Sequence, residues 1–379
     1  MIDLPLKGLV VLEFSQYLSG PSAGLRLADL GARVIKIERP VTGDAGRKLS
    51  IKDLWVDDNS LLFHTINRNK ESFAADLKNE DDLVAIKKLI GKADVLIHNF
   101  RPGVMQRTGL GYETVQRINP RIIYAEISGY GKEGPWKNKP GQDLLLQSMA
   151  GLAYTTGNGK DAPVPFGIAI VDILCGAQLV QGILGALIRR QKTAKGALIE
   201  VSLLESLLDF QFELLTTYYT NKHQPERSNV NNGHPLLSAP YGVYATSDGY
   251  IALAMMDIHL LGKAIDCEAL EKFLKDDAFA KRDEIKTTIA VHLLLQPTSY
   301  WLKCLQKEGL WAMEVFDWEQ MMNHDAYKQL KMEQTIKANG TNFITTRCPI
   351  RINKQRIFSS KPAPQVGEHN EQVYTDFIN

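Results

Sequence analysis

The chain has 379 residues, 44% of them hydrophobic and 23% charged, with 44 basic and 43 acidic side chains and a formal net charge of +1. That length suits one large or two medium domains, and the composition is that of an ordinary globular enzyme. The balanced charge argues against a nucleic-acid coat or a polybasic membrane surface, so an anionic ligand has to be attracted by local clusters. Cys175, Cys267, Cys304 and Cys348 are scattered without CxxC spacing. This argues against a disulfide framework or a zinc site and suits a reducing compartment. No basic stretch followed by a long apolar core opens the chain, and no run of about 18 apolar residues is evident. The expectation is a cytoplasmic enzyme with neither membrane nor nucleic-acid partners.

The apolar run 8–14 (GLVVLEF) reads as a buried parallel strand, 15–20 as a loop, and 21–30 as a helix. Its small residues Ser22, Ala23 and Gly24 allow close approach to a sheet. Gly31 ends the helix and 32–37 is a second strand. This β-loop-α-β unit implies a right-handed crossover and a parallel sheet. The pattern recurs: 83–90 is an amphipathic helix, 93–97 a strand ending at His98, 112–118 a helix and 122–127 a strand. About four βα units precede residue 130. Next come a short helix at 143–151 and a long apolar helix at 172–191, whose Gly176, Gly182 and Gly185 imply tight packing. A strand at 198–201 and a helix from 203 to about 219 follow. The polar stretch 221–234 (NKHQPERSNVNNGH) reads as a linker. A hairpin spans 241–255 around Ser247-Asp248-Gly249, and charged helices run to about 333. The expected architecture is α/β: a Rossmann-like large domain, 1–220, and a smaller α+β domain, 225–333.

In an open parallel sheet, ligands bind beyond the carboxyl ends of the strands. Three such loops carry notable residues: 15–21 (SQYLSGP), 38–40 (ERP) and 98–103 (HNFRPG). Arg39, Arg101, Arg107, Lys70 and Lys78 are candidate phosphate ligands, the arginines through bidentate hydrogen bonds. The plainer reading is that they are solvated surface charges. Neither GxGxxG nor GxxxxGK[ST] occurs, which disfavours a dinucleotide enzyme or a P-loop NTPase, and HExxH, GxSxG and kinase signatures are absent.

Asp172 is the unusual residue. It lies in 165–176 (PFGIAIVDILCG), a carboxylate among apolar residues at the start of an apolar helix. Burying it is costly unless the helix N-terminus compensates through its free N–H groups and dipole. On local grounds it is an N-cap, and Asp143 and Glu205 share that ambiguity. Cys175, one turn on, reads as core packing, with no His near it in sequence.

At this point the residues resemble a known family, the class III CoA-transferases, which includes formyl-CoA transferase, carnitine CoA-transferase and the α-methylacyl-CoA racemases. The resemblance runs nearly end to end. It is carried by 6–13 (LKGLVVLE), 30–40 (LGARVIKIERP), Gly43-Asp44, 67–72 (NRNKES), 93–103 (ADVLIHNFRPG), 119–124 (NPRIIY), 128–135 (SGYGKEGP), 240–244 (PYGVY) and 367–369 (GEH). It implies that Asp172 is the catalytic aspartate and that Gln16, Tyr17, Leu18, Ser19, Arg39, Lys78, Asn99, Phe100 and Arg107 bind CoA. It also implies a large domain completed by 334–379 and an interlocked homodimer, with no metal and no permanently bound cofactor, coenzyme A and acyl-CoA being substrates.

Racemases of the family carry a Gly-His-Asp triplet whose His lies thirty residues before the aspartate. Here the triplet is Gly141-Gln142-Asp143. Racemisation needs two groups able to exchange an α-proton, and an amide cannot titrate. Gln142 can still hydrogen-bond an acyl oxygen, so it is the second candidate catalytic residue. The formyl-CoA branch has a run of glycines in the loop before Pro240. Here 229–234 (NVNNGH) holds one glycine, which argues against oxalate/formate specificity.

The implied reaction is attack of Asp172 on an acyl-CoA such as succinyl-CoA or acetyl-CoA, through an anhydride and an aspartyl-CoA thioester. Backbone N–H groups at the start of the 172 helix are expected to steady the oxyanion. The alternatives are an acyl-CoA racemase or isomerase, and a non-catalytic CoA-binding protein. His234, Tyr17 and Tyr154 are candidates to meet the acid.

Overall fold

Short apolar runs buried on both faces alternate with amphipathic helices along the first 200 residues, and that alternation builds one parallel sheet. The computed structural model describes residues 3–338 and 340–379. The sheet strands are β1 (Val10–Glu13), β2 (Arg33–Glu38), β3 (Glu71–Ala74), β4 (Val95–His98), β5 (Ile123–Ser128) and β6 (Ala197–Ser202). They lie in the order β3-β2-β1-β4-β5-β6, and each neighbouring pair is parallel. Leu12 of β1 sits beside Ile35 on one side and Leu96 on the other. The chain steps outward from β1 to β3, then returns to β4 on β1's other flank. The crevice between the ends of β1 and β4 is therefore the topological switch point, where such sheets bind ligands.

The helices are α1 (Ser19–Asp29), α2 (Glu80–Lys92), α3 (Tyr112–Ile118), α4 (Asp143–Met149), α5 (Ile170–Thr193), α6 (Leu203–Phe210) and α7 (Phe212–Asn221). Leu12, Ile35, Phe73, Ile86, Leu96 and Tyr124 form one core, and Val373 and Ile378 of the C-terminal tail join it. The tail also covers the sheet's edge. Asn370 Oδ1 accepts the N–H of Ala74 at 2.9 Å, and His369 Nδ1 accepts that of Ser72 at 3.3 Å. Edge donors that would otherwise invite another chain are thereby used.

The chain divides into two compact units. One comprises Met1–Leu146, Ala169–Phe210 and Gln329–Asn379, and the other Gln147–Ile168 and Gln211–Lys328. In the smaller unit β7 (Gly242–Ala245), β8 (Tyr250–Leu253) and β9 (Ala312–Glu314) form an antiparallel sheet. Tyr244, Ile251, Leu261, Ile289 and Trp301 lie in its core.

Several expectations change. Five strands of the parallel sheet, not four, precede residue 130. The added one is β3, whose Glu71 and Ser72 look polar in sequence. Inside the fold Glu71 pairs with Arg33 at 2.9 Å, and Ser72 Oγ donates to Glu38 at 2.8 Å. The helix expected at 203–219 breaks at Gln211, whose amide donates to Ala150 O. The boundary expected at 220 falls there, and 147–168 belongs with the smaller unit. The stretch 221–234 is less a linker than an anchored loop. Asp283 accepts from Ser228 and Asn229, Arg227 donates to Thr156 O and Asp161 O, and Lys286 donates to Asn231 O. The long apolar helix read at 172–191 is present as α5, but the expectation of no run of about 18 apolar residues fails there: α5 is long and apolar enough, by length and composition, to cross a bilayer. Its buried face, Val171, Cys175, Leu179, Ile183 and Leu187, packs on α1, α6, β5 and β6.

Beneath the first sheet loops lies a cluster of buried charges. Lys36 Nζ is 3.0 Å from Glu13 and 2.8 Å from Asp44, and donates to Ser15 O at 2.8 Å. Lys70 Nζ is 2.8 Å from Glu13, and Arg47 is 2.6 Å from Glu38. Gly24 makes room for this cluster, since a Cβ there would collide with the Glu13 carboxylate. Burial pulls the Lys70 ammonium down to about 8. Burial acts the same way on Lys36, but Glu13 and Asp44 outweigh it and hold that ammonium charged. Removing one partner strands the others in a dry interior. Lys36→Met is expected to cost about 3–5 kcal/mol of unfolding free energy, read from the urea midpoint. An unchanged midpoint would show the cluster to be energetically idle.

Candidate active site

The first site loop, 14–18, follows β1 directly and is clamped from two sides. Asn99, just beyond β4, accepts the Gln16 N–H at 2.8 Å and donates to Gln16 O at 2.7 Å. The backbone N–H of Tyr17 donates to Asp44 Oδ1 at 3.3 Å, and Asp44 in turn faces Lys36. Tyr17 holds φ +64°, a left-handed conformation costly for an aromatic residue, and these bonds stabilise it. Its ring is exposed. Leu18 precedes α1 and Ser19 opens it, so the expected start at Pro21 moves back two residues.

Ser19 connects the loop to Asp172. Asn99 Nδ2 lies 3.4 Å from Ser19 Oγ, and the Ser19 hydroxyl donates to the Asp172 carboxylate. The contact depends on how closely α1 and α5 cross. A Cβ at Gly176 would come within 2.7 Å of Ser19 O, and nearer still to Ser22 Oγ. Glycine is needed at that point. Gly182 has a similar role against Ile199, whereas Gly185 faces open space and does not fit the expected pattern.

Asp172 is not the N-cap. It is the third residue of α5, and the cap position is Ala169, which has no side-chain acceptor to offer. Asp143 supplies one from the first residue of α4. Its Oδ2 accepts the N–H of Val171 at 2.8 Å and of Asp172 at 3.1 Å. Two of the four free N–H groups of the helix start are thus taken, which narrows the set expected to face an oxyanion. Gln142 is exposed, and its own carbonyl accepts the N–H groups of Leu145 and Leu146. Asp143 beside it joins the 141–143 triplet to the start of α5.

Burial, then the Asp143 charge, pushes the half-buried Asp172 carboxyl up to about 6 from 3.8, with Ser19 opposing. It is mostly ionised at neutral pH, but it is not the low-pKa cap carboxylate that helix position alone implies. Cys175 is buried, and burial pushes its thiol up to about 12, which supports packing over nucleophilicity. Glu205 accepts from Ser202 at the start of α6.

The other candidates sort by exposure. Arg39, Lys78, Arg101 and Arg107 are exposed in segments after the carboxyl ends of β2, β3 and β4. Phe100 is half-buried and stacks on His98, ring centroids 6.1 Å apart. Lys70 is the correction: it is wholly buried against Glu13 and cannot reach a phosphate. In the smaller unit, His234 accepts from Leu236 N and lies 3.5 Å from Glu213. Tyr154 lines a cavity of about 190 Å³ with Gln211, Leu214, Tyr218 and Pro225. The sequence reading missed Asp44 and the His98–Glu126–Lys132 cluster. Glu126 Oε1 lies 2.7 Å from Lys132, and Oε2 lies 3.5 Å from His98. Nothing local marks these residues, because their roles come from neighbours distant in sequence.

The loop clamp, the switch point and the α5 carboxylate stand together on a chain whose residues 6–370 match the CoA-transferase family III, and the chain belongs to that family. It is a class III CoA-transferase. It is 36% identical to acetyl-CoA:oxalate CoA-transferase of Acetobacter aceti, over 98% of this chain and 96% of that protein. It is 34% identical to succinyl-CoA–D-citramalate CoA-transferase of Chloroflexus aurantiacus, over 99% and 94%. A crystal structure of a CAIB/BAIF family protein from Brucella suis superposes with a TM-score of 0.85 at 29% identity, covering 99% of this chain and all of that one.

A carboxylate whose folded pKa is raised destabilises the fold above that pKa, and the penalty is relieved as pH falls through about 6. Asp172→Asn is therefore expected to melt higher than the parent at pH 8, by on the order of 2 kcal/mol. The gap should begin to narrow below about pH 6 and close only below the unperturbed value of 3.8. Thermal melts across that range test this, and a variant less stable at pH 8 would refute it.

Proposed function

We propose that this enzyme moves CoA from an acyl-CoA donor to a small carboxylic acid, with Asp172 as the covalent nucleophile. The observation that carries this reading is the placement of Asp172, half-buried and ionised near neutrality, against Ser19 of the switch-point loop. An Asp172 oxygen attacks the donor carbonyl carbon, the C–S bond breaks, and CoA leaves as thiolate with the electron pair. The thiolate then attacks the Asp172 carbonyl, releasing the donor carboxylate and leaving an aspartyl-CoA thioester. The acceptor carboxylate displaces thiolate to form a second anhydride. Thiolate attacks the acceptor's carbonyl in that anhydride, giving the new acyl-CoA and restoring Asp172. Each step exchanges acyl groups of comparable energy, so the cycle runs in either direction.

Gln16, Tyr17, Leu18, Ser19, Asn99 and Phe100 hold the CoA chain at the switch point, and Arg39, Lys78 and Arg107 hold its phosphates. Their common position at the carboxyl edge of the sheet supports this. Gln142 donates to an acyl oxygen. The relatives named for oxalate and for D-citramalate support a small acid as acceptor. The working form is a homodimer. Large apolar residues exposed on one chain support that, among them Ile168, Ile188, Phe212 and Tyr219, each at least 60% exposed. The enzyme works in the cytoplasm, a reading supported by four free cysteines.

Incubation with succinyl-CoA or acetyl-CoA, trapping with hydroxylamine and peptide mapping should place the modification on Asp172. Asp172→Ala should lose CoA exchange by at least about 10³-fold. A label elsewhere, or full exchange in that variant, would remove the assignment. Turnover of a 2-methylacyl-CoA in heavy water should leave no deuterium at the α-carbon, because Gln142 cannot exchange protons. Wash-in would instead favour a racemase.

A further inference from the structure

We propose that Asp143 is a positioning residue for the transfer, clamping the first turn of α5 and holding a second negative charge behind the nucleophile. The inference rests on the reading of Asp172 as nucleophile. Asp143 touches neither substrate nor reacting atoms; it acts through Asp172.

One Asp143 oxygen binds two consecutive backbone N–H groups, those of Val171 and of Asp172 itself. A forked acceptor of this kind fixes the turn that carries the nucleophile, and it does so from α4, a different element. The anchor is rigid, because Asp143 is itself buried at the first residue of that helix. Its neighbour Gly141 is pressed against Gly129, where a Cβ would lie 2.9 Å from the Gly129 Cα. The 141–143 segment is thereby seated on the loop after β5, so the nucleophile's backbone is referenced to the sheet.

The same bonds have an electrostatic result. The helix N–H groups that would draw negative charge to Asp172 face Asp143 instead. The charged and titratable groups around Asp172 are few: Asp143 on α4, the Cys175 thiol one turn on, and Glu205 of α6 beyond it. Ser19 on α1 supplies the one neutral donor. The negative charge of Asp143 raises the Asp172 carboxyl, adding to the effect of burial. A more basic carboxylate is a stronger nucleophile, and its anhydride is a less reactive leaving species. That matching suits a chain of reversible exchanges between carboxylic acids.

The test uses the full-length enzyme and the pH dependence of kcat/KM for acyl-CoA. The parent should lose activity as pH falls through about 6, as Asp172 is protonated. Asp143→Asn keeps a carbonyl acceptor and removes the charge. Its acid limb should move down by about one pH unit, with a severalfold lower plateau kcat and little change in KM. A purely structural Asp143 predicts a lower melting temperature and an unmoved limb, and that outcome overturns the proposal. Should Asp143→Asn fail to fold, Asp143→Glu takes its place. It keeps the charge and displaces the clamp, so the limb should stay near 6 while kcat falls about tenfold. An undiminished kcat overturns the positioning role. Hydroxylamine trapping in the parent separates the two readings. With the label on Asp172 and the limb unmoved, only the role of Asp143 falls. Without that label, the nucleophile reading falls first.

Discussion

Gly176 has no side chain at the point where α5 crosses α1, and the site depends on that omission. A methyl group there would meet the Ser19 carbonyl and the Ser22 hydroxyl. Closely packed interiors do not absorb such a clash without backbone movement. Because the helices meet, the Ser19 hydroxyl reaches the Asp172 carboxylate, and the residue next to the first sheet loop becomes part of that carboxylate's surroundings. The tight crossing also buries the carboxylate, and burial is the largest cause of its raised pKa.

The loop that brings Ser19 to this place is held from beneath by charge. Glu13, Lys36, Lys70 and Asp44 compensate one another in the dry interior, and Asp44 and Asn99 then fix Tyr17 and Gln16 through backbone bonds. Apolar side chains of equal volume would serve the core as well or better. They would offer no acceptor to Tyr17. The cluster is a framework that trades stability for a loop of fixed shape.

A nucleophilic carboxylate in a helix start faces a conflict. The dipole and free N–H groups lower its pKa and blunt it, while burial without help makes it too costly to ionise. The fold places a second carboxylate from another helix across the N–H groups, and a serine hydroxyl against Asp172. The result lies between the two extremes, ionised near neutrality yet more basic than an exposed aspartate. The exposed Gln142 next to Asp143 carries an amide, which cannot remove an α-proton.

Much of this was legible in the sequence where a physical rule is local. Two-sided apolar runs gave the strands of a parallel sheet, and the loops after three of them, 15–21, 38–40 and 98–103, stood out as candidates for a ligand. The motif resemblance singled out Asp172, and the amide of Gln142 followed from the residue type alone. What escaped was set by neighbours distant in the chain. β3 looks polar because its partners, Arg33 and Glu38, lie more than thirty residues away. Lys70 looks like a phosphate ligand until Glu13 is seen against it. Asp172 looks like a cap until the α4 carboxylate is found in that role. The sequence by itself determined which groups are present and on which elements they ride, since side-chain chemistry and backbone periodicity are local properties. Only the tertiary structure decided which groups are dry, which are paired, and how acidic Asp172 is, because desolvation and charge pairing act through space.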